Sequence, residues 1–334
     1  MNKYARWAIR LIGPALLIIF LWRSDFSQLA AGLSQIRIAP LLLSLALFLP
    51  FVAIKAWRWN ALMTELGMQP PTLRTSMALY MIGLYLGGTT PGQSGDFIKA
   101  WYLRERGQAL APALFSIVLD RLFDFVIMAL LALLSLVAFL DILPQSAQIA
   151  TVAFAVIVFL ATPALMARGP REWLFGILAR IAPARLRPAL ERWRGQFSEL
   201  SLRPAPAAKL MLASVLSATS TMLRIYLLFQ ALPLERVSVL TIVSSTALIA
   251  ILQALPISFS GIGVRDAILI AVLARYGYPS ELALILSALF LLLNIEHIIL
   301  GFLVSLRYPL GTPPNAAAAE PADPAASYGQ GPNN

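Results

Sequence analysis

Five short stretches set charged residues inside or beside otherwise apolar sequence, where an ionised side chain costs at least ~2.5 kcal/mol to place. In Leu119-Asp120-Arg121-Leu122-Phe123-Asp124, the two aspartates are four apart and share a helix face, while Arg121 stands three from Asp124, within pairing distance. Such a group either neutralises itself and locks helices together or holds a substrate or a proton. Arg224 interrupts an apolar run after Ser214, Ser217, Thr219, Ser220 and Thr221. Its guanidinium suits a phosphate, which it grips through paired hydrogen bonds, and equally suits Asp120 or Asp124. In Gly261-Ile262-Gly263-Val264-Arg265-Asp266, glycines permit close backbone approach ahead of a helix N-terminus with its partial positive charge. With Arg265 this makes an anion site. Gly92, Gly95, Asp96 and Lys99 repeat the theme. Asp96 and Asp266 also read as first-turn acids satisfied by the helix dipole. In the last apolar run, Glu296 and His297 are the candidate pair for carrying a proton, although a membrane histidine more often bonds helix to helix.

Much other chemistry is excluded. The chain has no cysteine and one histidine, so neither a thiolate nor a multi-histidine metal centre can form. No catalytic residue, metal or cofactor is expected. Arg121 between Asp120 and Asp124 disfavours a cation there, although a Mg²⁺-dependent transferase would need clustered carboxylates of that kind.

The elements that must carry these residues are membrane helices. Of 334 residues, 59% are hydrophobic and 13% charged, against roughly 25% charged in a soluble domain. Apolar runs cover 8–22, 38–56, 76–90, 110–140, 148–166, 210–230, 237–255, 266–275 and 282–306. Two places have a helix broken by Pro and Gly and followed by a short second helix: after 76–90, and between 237–255 and 266–275. Broken backbone at membrane depth survives only where protein or water covers it, so both read as re-entrant hairpins. The expected fold is all-α and polytopic, with about six full spans and two re-entrant hairpins in an inverted repeat.

Basic residues orient it. With the N-terminus inside, Lys3, Arg6, Arg10, Lys55, Arg58, Arg74, Lys99, Arg104, Arg106, the arginine-rich stretch 167–209 and Arg307 fall on the cytoplasmic side. Only Arg23, Arg37, Arg236 and Arg275 fall outside. Both termini are then cytoplasmic. Stretch 167–209 mixes Trp173, Phe175, Trp193 and Phe197 with arginines and suits amphipathic helices on the inner leaflet. The membrane domain is 1–310; residues 311–334, rich in Pro, Ala, Gly and Asn, form a disordered tail.

Pro91-Gly92-Gln93-Ser94-Gly95-Asp96, Asp120-Arg121-Leu122-Phe123-Asp124 and Gly261-Ile262-Gly263-Val264-Arg265-Asp266 together resemble the lysylphosphatidylglycerol synthase transmembrane, or flippase-like, family. The resemblance covers roughly residues 5–308. It implies a bacterial inner-membrane protein that translocates an anionic phospholipid or polyprenyl-phosphate lipid, here as a stand-alone member lacking the cytosolic synthase domain. Arg121, Arg224 and Arg265, with Gly92, Gly95, Gly261 and Gly263, would bind the head group. Asp96, Lys99, Asp120, Asp124 and Asp266 would form a charge network around them. The expected partners are membrane lipids, a glycosyltransferase or lipid-synthesis enzyme, and further copies of the chain, but no nucleic acid. The competing readings are a membrane transferase and an accessory subunit of a lipid-linked glycosyltransferase pathway.

Overall fold

The structure is a computed structural model that describes residues 26–141, 143–183, 187–188, 191, 194–195, 202–254 and 263–308. The described secondary structure is all helical: α1 Phe26–Ser34, α2 Ile38–Ala46, α3 Phe48–Glu65, α4 Leu73–Thr89, a 3-10 turn Pro91–Phe97, α5 Ile98–Glu105, α6 Leu110–Phe139, α7 Gln145–Met166, α8 Arg168–Ile181, α9 Pro204–Gln230, α10 Val239–Ala254, α11 Val264–Ala274 and α12 Ser280–Ser305. Five of the described helical stretches are long and apolar enough to cross a membrane: Ile38–Glu65, Leu110–Phe139, Gln145–Met166, Ala205–Gln230 and Ser280–Ser305. The first of these joins α2 to α3 through Leu47, because Pro50 has no N–H to give the carbonyl of Ala46. The chain is thus an all-α polytopic membrane protein. Outward faces are apolar, as at Val137 and Leu160, which suits lipid rather than water.

Two helical hairpins double back on themselves. In the first, α4 runs in, the 3-10 turn reverses the chain, and α5 returns beside α4. Its ends meet again, since Gln108 Nε2 donates to the carbonyl of Gln69 at 2.6 Å. At the tip, Gly95 N donates to Thr90 Oγ1 at 2.7 Å. A Cβ on Gly95 would stand 2.3 Å from the carbonyl of Leu86, so only glycine lets the return leg lie this close. In the second hairpin α10 runs in and α11 runs out, with the hydroxyls of Thr241 and Tyr276 2.6 Å apart at its base. Gly261 and most of the connecting tip lie outside the described residues. Gly263 enters α11 at φ +82°, a conformation that glycine adopts freely.

The hairpins enter from opposite ends of the bundle, as α12 shows. This helix starts next to the base of the second hairpin and ends next to that of the first, where Tyr102 OH donates to the carbonyl of Tyr308 at 2.5 Å. At 1.5 Å per residue it is ~39 Å long. Both tips reach toward its middle: Gly88 lies against Ile298, and Arg265 Nε donates to Ser287 Oγ at 2.7 Å. Packing is reciprocal. The ingoing leg α4 packs on α12, and its counterpart α10 packs on α6; the outgoing legs α5 and α11 pack on α6 and α12. Across the centre, α3 packs on α9. This is the contact pattern of two halves related head to tail.

Outside the bundle, α8 exposes Trp173 and Ile181, while Arg171 is buried with its guanidinium 5.4 Å from the Phe115 ring centroid. An amphipathic helix in 167–209 is therefore present; much of the remainder, to residue 201, lies outside the described residues, as does the tail 311–334.

Candidate functional site

Helix α3 carries Phe48, Phe51, Lys55 and Arg58 at alternating three- and four-residue spacing, so that one stripe faces the bundle centre. Arg58 is fully buried. Its Nε donates to Asp120 Oδ1 at 2.9 Å, its Nη2 to the carbonyl of Asp120 at 3.0 Å, and its Nη1 to Asp124 Oδ1 at 2.6 Å and Ser214 Oγ at 2.8 Å. Lys55 Nζ meets Asp124 Oδ2 at 2.8 Å. The Tyr80 hydroxyl donates to Asp120 Oδ2. All four carboxylate oxygens of Asp120 and Asp124 therefore already face donors.

The network continues onto the tip of the first hairpin. Asp96 Oδ2 lies 2.9 Å from Lys99 Nζ and 2.8 Å from Arg121 Nε. Lys99 Nζ stands 3.8 Å from the centroid of the Tyr80 ring, a cation–π contact that joins the two parts. Gly83 makes room for Asp96, since a Cβ there would meet Asp96 Oδ1 at 2.3 Å. The cluster holds four cations, Lys55, Arg58, Lys99 and Arg121, against three carboxylates, Asp96, Asp120 and Asp124. Among these described side chains the basic groups outnumber the carboxylates by one. The cluster is open at its edge, where the side chains of Arg121 and Asp124 are 23% and 20% exposed.

A second centre lies on α9 and α12. Arg224 Nη2 pairs with Glu296 Oε2, Nη1 donates to His297 Nε2 at 2.9 Å, and Nε donates to the carbonyl of Ser44 at 2.9 Å. The His297 ring packs against both Phe48, at 5.1 Å, and Phe51, at 5.9 Å, which also touch each other. Lys55 Nζ lies 5.4 Å from the Phe51 ring on the same stripe of α3, so one aromatic ring separates the two centres. A third, smaller site lies at the second hairpin, where the buried Arg265 bonds Ser287 through Nε and its Nη1 has no hydrogen-bond partner among the described residues. Asp266 turns away from Arg265 to accept from Gly263 N at 2.7 Å.

Residues 8–301 match the lysylphosphatidylglycerol synthase TM region. The chain belongs to that family. A curated relative, the UPF0104 membrane protein PH1989 of Pyrococcus horikoshii, is 22% identical over 314 residues, covering 86% of this chain and 92% of the relative. No solved structure matches.

In this member of the lysylphosphatidylglycerol synthase TM family, Asp96, Lys99, Asp120, Arg121 and Asp124 come together in one network, whereas Arg224, Glu296 and His297 form a separate one. Arg265 and Asp266 stand at the second hairpin, while Gly92 and Gly95 lie in the tip turn of the first. Two pairings differ from the sequence expectation. Arg121 turns to Asp96 rather than Asp124, because neighbours on a helix point about 100° apart and Asp120 and Asp124 both face α3. Arg224 pairs with Glu296 rather than with either aspartate, which Arg58 and Lys55 already occupy. The sequence places Lys55 and Arg58 only among the basic residues of the inner face, but both are drawn into the bundle. Their signal was available in the helical spacing of Phe48, Phe51, Lys55 and Arg58. Tyr80, Ser44 and Gly83 carried no comparable signal.

Proposed function

We propose that this chain is a lipid flippase that carries the phosphate of an anionic phospholipid or polyprenyl-phosphate lipid through the polar centre of the bundle while the acyl chains stay in the bilayer. The observation that carries this reading is the network around the first hairpin tip, where four basic side chains meet three carboxylates inside the bundle and Arg121 is 23% exposed at its edge. A purely structural lock gains nothing from an odd cation, since an unbalanced buried charge is costly. One phosphodiester anion would balance it. Arg265 Nη1, buried with no hydrogen-bond partner among the described residues, would supply a second phosphate donor at the opposite hairpin. Both hairpins would be re-entrant, and their tips would bracket the path of the head group.

Charge at the bundle ends supports an orientation. Arg74, Arg104 and Arg307 are exposed at one end, without an ion pair to a carboxylate among the described residues. At the other end Arg37 is paired with Glu235 at 2.5 Å and Arg275 with Asp141 at 2.8 Å. In this reading the first end faces the cytoplasm of a bacterial inner membrane.

The test is translocation of fluorescent phosphatidylglycerol in proteoliposomes, with fluorescent phosphatidylcholine as control. Each lost charge-assisted hydrogen bond costs ~1.5–3 kcal/mol, so Arg121→Ala or Arg265→Ala should slow the anionic lipid about tenfold or more. Equal rates in wild type and both variants would refute the assignment.

A further inference from the structure

Arg224 is held so that one ligand can replace another. Its Nε is anchored on the Ser44 carbonyl, and Ser44 Oγ returns a hydrogen bond to the Arg224 carbonyl at 2.9 Å. The remaining edge of the guanidinium, Nη1 and Nη2, faces His297 and Glu296. Because an arginine N–H only donates, His297 Nε2 must accept, which keeps that ring neutral with its own hydrogen on Nδ1. Protonating it would set an imidazolium against a guanidinium. Glu296 is therefore the group that balances Arg224. Its second oxygen, Oε1, has no hydrogen bond among the described residues, and its side chain is 12% exposed.

Among the described residues, the other charged and titratable groups lie elsewhere or are already paired. On α4, Tyr85 packs edge-on against Phe302. On α11, Arg265 contacts α12 about two turns or more away, at Ser287, and Asp266 accepts from Gly263 N. Helix α1 contains no acidic or basic residue. On α3, Lys55 stands behind the Phe51 ring and is paired with Asp124. Glu281 lies at the far N-terminal end of α12. A phosphate arriving at the Nη1–Nη2 edge would place a second anion beside the Glu296 carboxylate with one cation between them, and local neutrality returns only if the carboxylate leaves as a neutral acid.

Resting on the flippase reading, we infer that Glu296 is a proton-binding switch, and that uptake of one proton from water onto its carboxylate accompanies transfer of Arg224 from Glu296 to the phosphate of the lipid. The exchange balances. The Arg224–Glu296 ion pair becomes an Arg224–phosphate ion pair beside a neutral carboxylic acid, and release of the lipid on the other side of the membrane returns the proton to water. Proton and anionic lipid then bind with positive linkage, each raising the affinity for the other by the same factor. A pH gradient would thus drive directional movement.

The experiment uses the full chain in detergent with short-chain phosphatidylglycerol as the probe, reading proton uptake with a pH indicator in weakly buffered solution and lipid affinity as a function of pH. Wild type should take up close to one proton per lipid bound, and its apparent affinity should fall about tenfold per pH unit as pH rises through the range where free Glu296 is ionised, as one linked proton requires. Glu296→Gln should bind lipid with no proton uptake and a flat pH profile, whereas Glu296→Asp should restore the pH slope. If Glu296→Gln does not fold, Glu296→Asp serves in its place: the shorter acid should keep close to one proton taken up per lipid bound, with affinity still falling as pH rises. Uptake in Glu296→Gln equal to wild type, or a flat pH profile in Glu296→Asp, would overturn the switch. Wild type that binds lipid without proton uptake also overturns it and leaves the flippase reading standing. Wild type that neither binds nor translocates anionic lipid ends the flippase reading itself.

Discussion

The two halves of the bundle use one plan with different chemistry. Each has an arginine on the helix before its hairpin, Arg58 or Arg224, placed the same distance in sequence ahead of the hairpin's first residue, Leu73 or Val239. Each arginine reaches a carboxylate on the helix that follows the hairpin: Asp120 and Asp124 on α6, or Glu296 on α12. Arg58 is held by two carboxylates, a carbonyl and a serine. Arg224 has one carboxylate, a neutral ring and a carbonyl. Under the proposed exchange, these corresponding positions would yield a fixed charge in the first half and an exchangeable one in the second. Halves that differ in this way would hold a head group on one side and release it on the other, if the flippase reading holds.

The comparison breaks most readily at Arg58. Arg58→Ala leaves Asp120 and Asp124 in the bundle with only Lys55 and the Tyr80 hydroxyl to face them. Removing one partner of a buried network costs ~3–5 kcal/mol, so thermal unfolding in detergent should show a large fall in Tm or no folded protein. Arg224→Ala should cost less, because Glu296 can become neutral by taking a proton. Equal destabilisation by the two substitutions would remove the distinction between a fixed and an exchangeable arginine.

Gly95 tests how rigidly the first hairpin presents its cluster. The Cβ of Gly95→Ala would stand 2.3 Å from the backbone of Leu86, which is part of a helix and cannot give way as a side-chain tip can. Overpacking of this kind costs ~1–3 kcal/mol, and it should separate Asp96 from Arg121, so Tm and anionic lipid translocation should fall together. By contrast, Gly32→Ala meets only the end of the Ile285 side chain, which can rotate, and should leave both nearly unchanged. A Gly95→Ala protein with wild-type Tm would show that the tip is looser than its packing indicates.

Most of the architecture was legible because it rests on local signals. Long apolar runs mark the spans, and Pro and Gly inside them mark the hairpin tips. Within the charged cluster, the four-residue spacing of Asp120 and Asp124 disclosed their shared face. The partner on that face was not legible, since it is chosen across the bundle. Arg58 follows Trp57 near the end of its helix and looks like an interfacial cation, yet its side chain turns inward to Asp120. Arg121 stands in a single helix turn with two aspartates, and only the approach of the first hairpin decides that it pairs with Asp96. Gly83 belongs to the same class, its importance arising from a carboxylate thirteen residues further along the chain.

The smallest expected effect sharpens the comparison between the two aspartates that end the glycine motifs. Asp96 balances Lys99 and Arg121 inside the cluster, whereas Asp266 bonds only backbone, accepting from Gly263 N at 2.7 Å at the start of α11. Loss of such a cap costs ~1 kcal/mol, so Asp266→Ala should lower Tm slightly, and Asp266→Asn, which can still accept that bond, should recover most of the loss. Asp96→Asn should not be rescued in the same way, because an amide satisfies hydrogen bonds but removes the one negative charge that Lys99 and Arg121 share. Side-by-side unfolding of the four single Ala and Asn variants decides the matter: a capping role predicts Asn near wild type at 266, and a charge role predicts Asn near Ala at 96. If Asn is as damaging as Ala at both positions, Asp266 also acts through its charge, and the second hairpin is closer to the first in chemistry than its hydrogen bonds indicate.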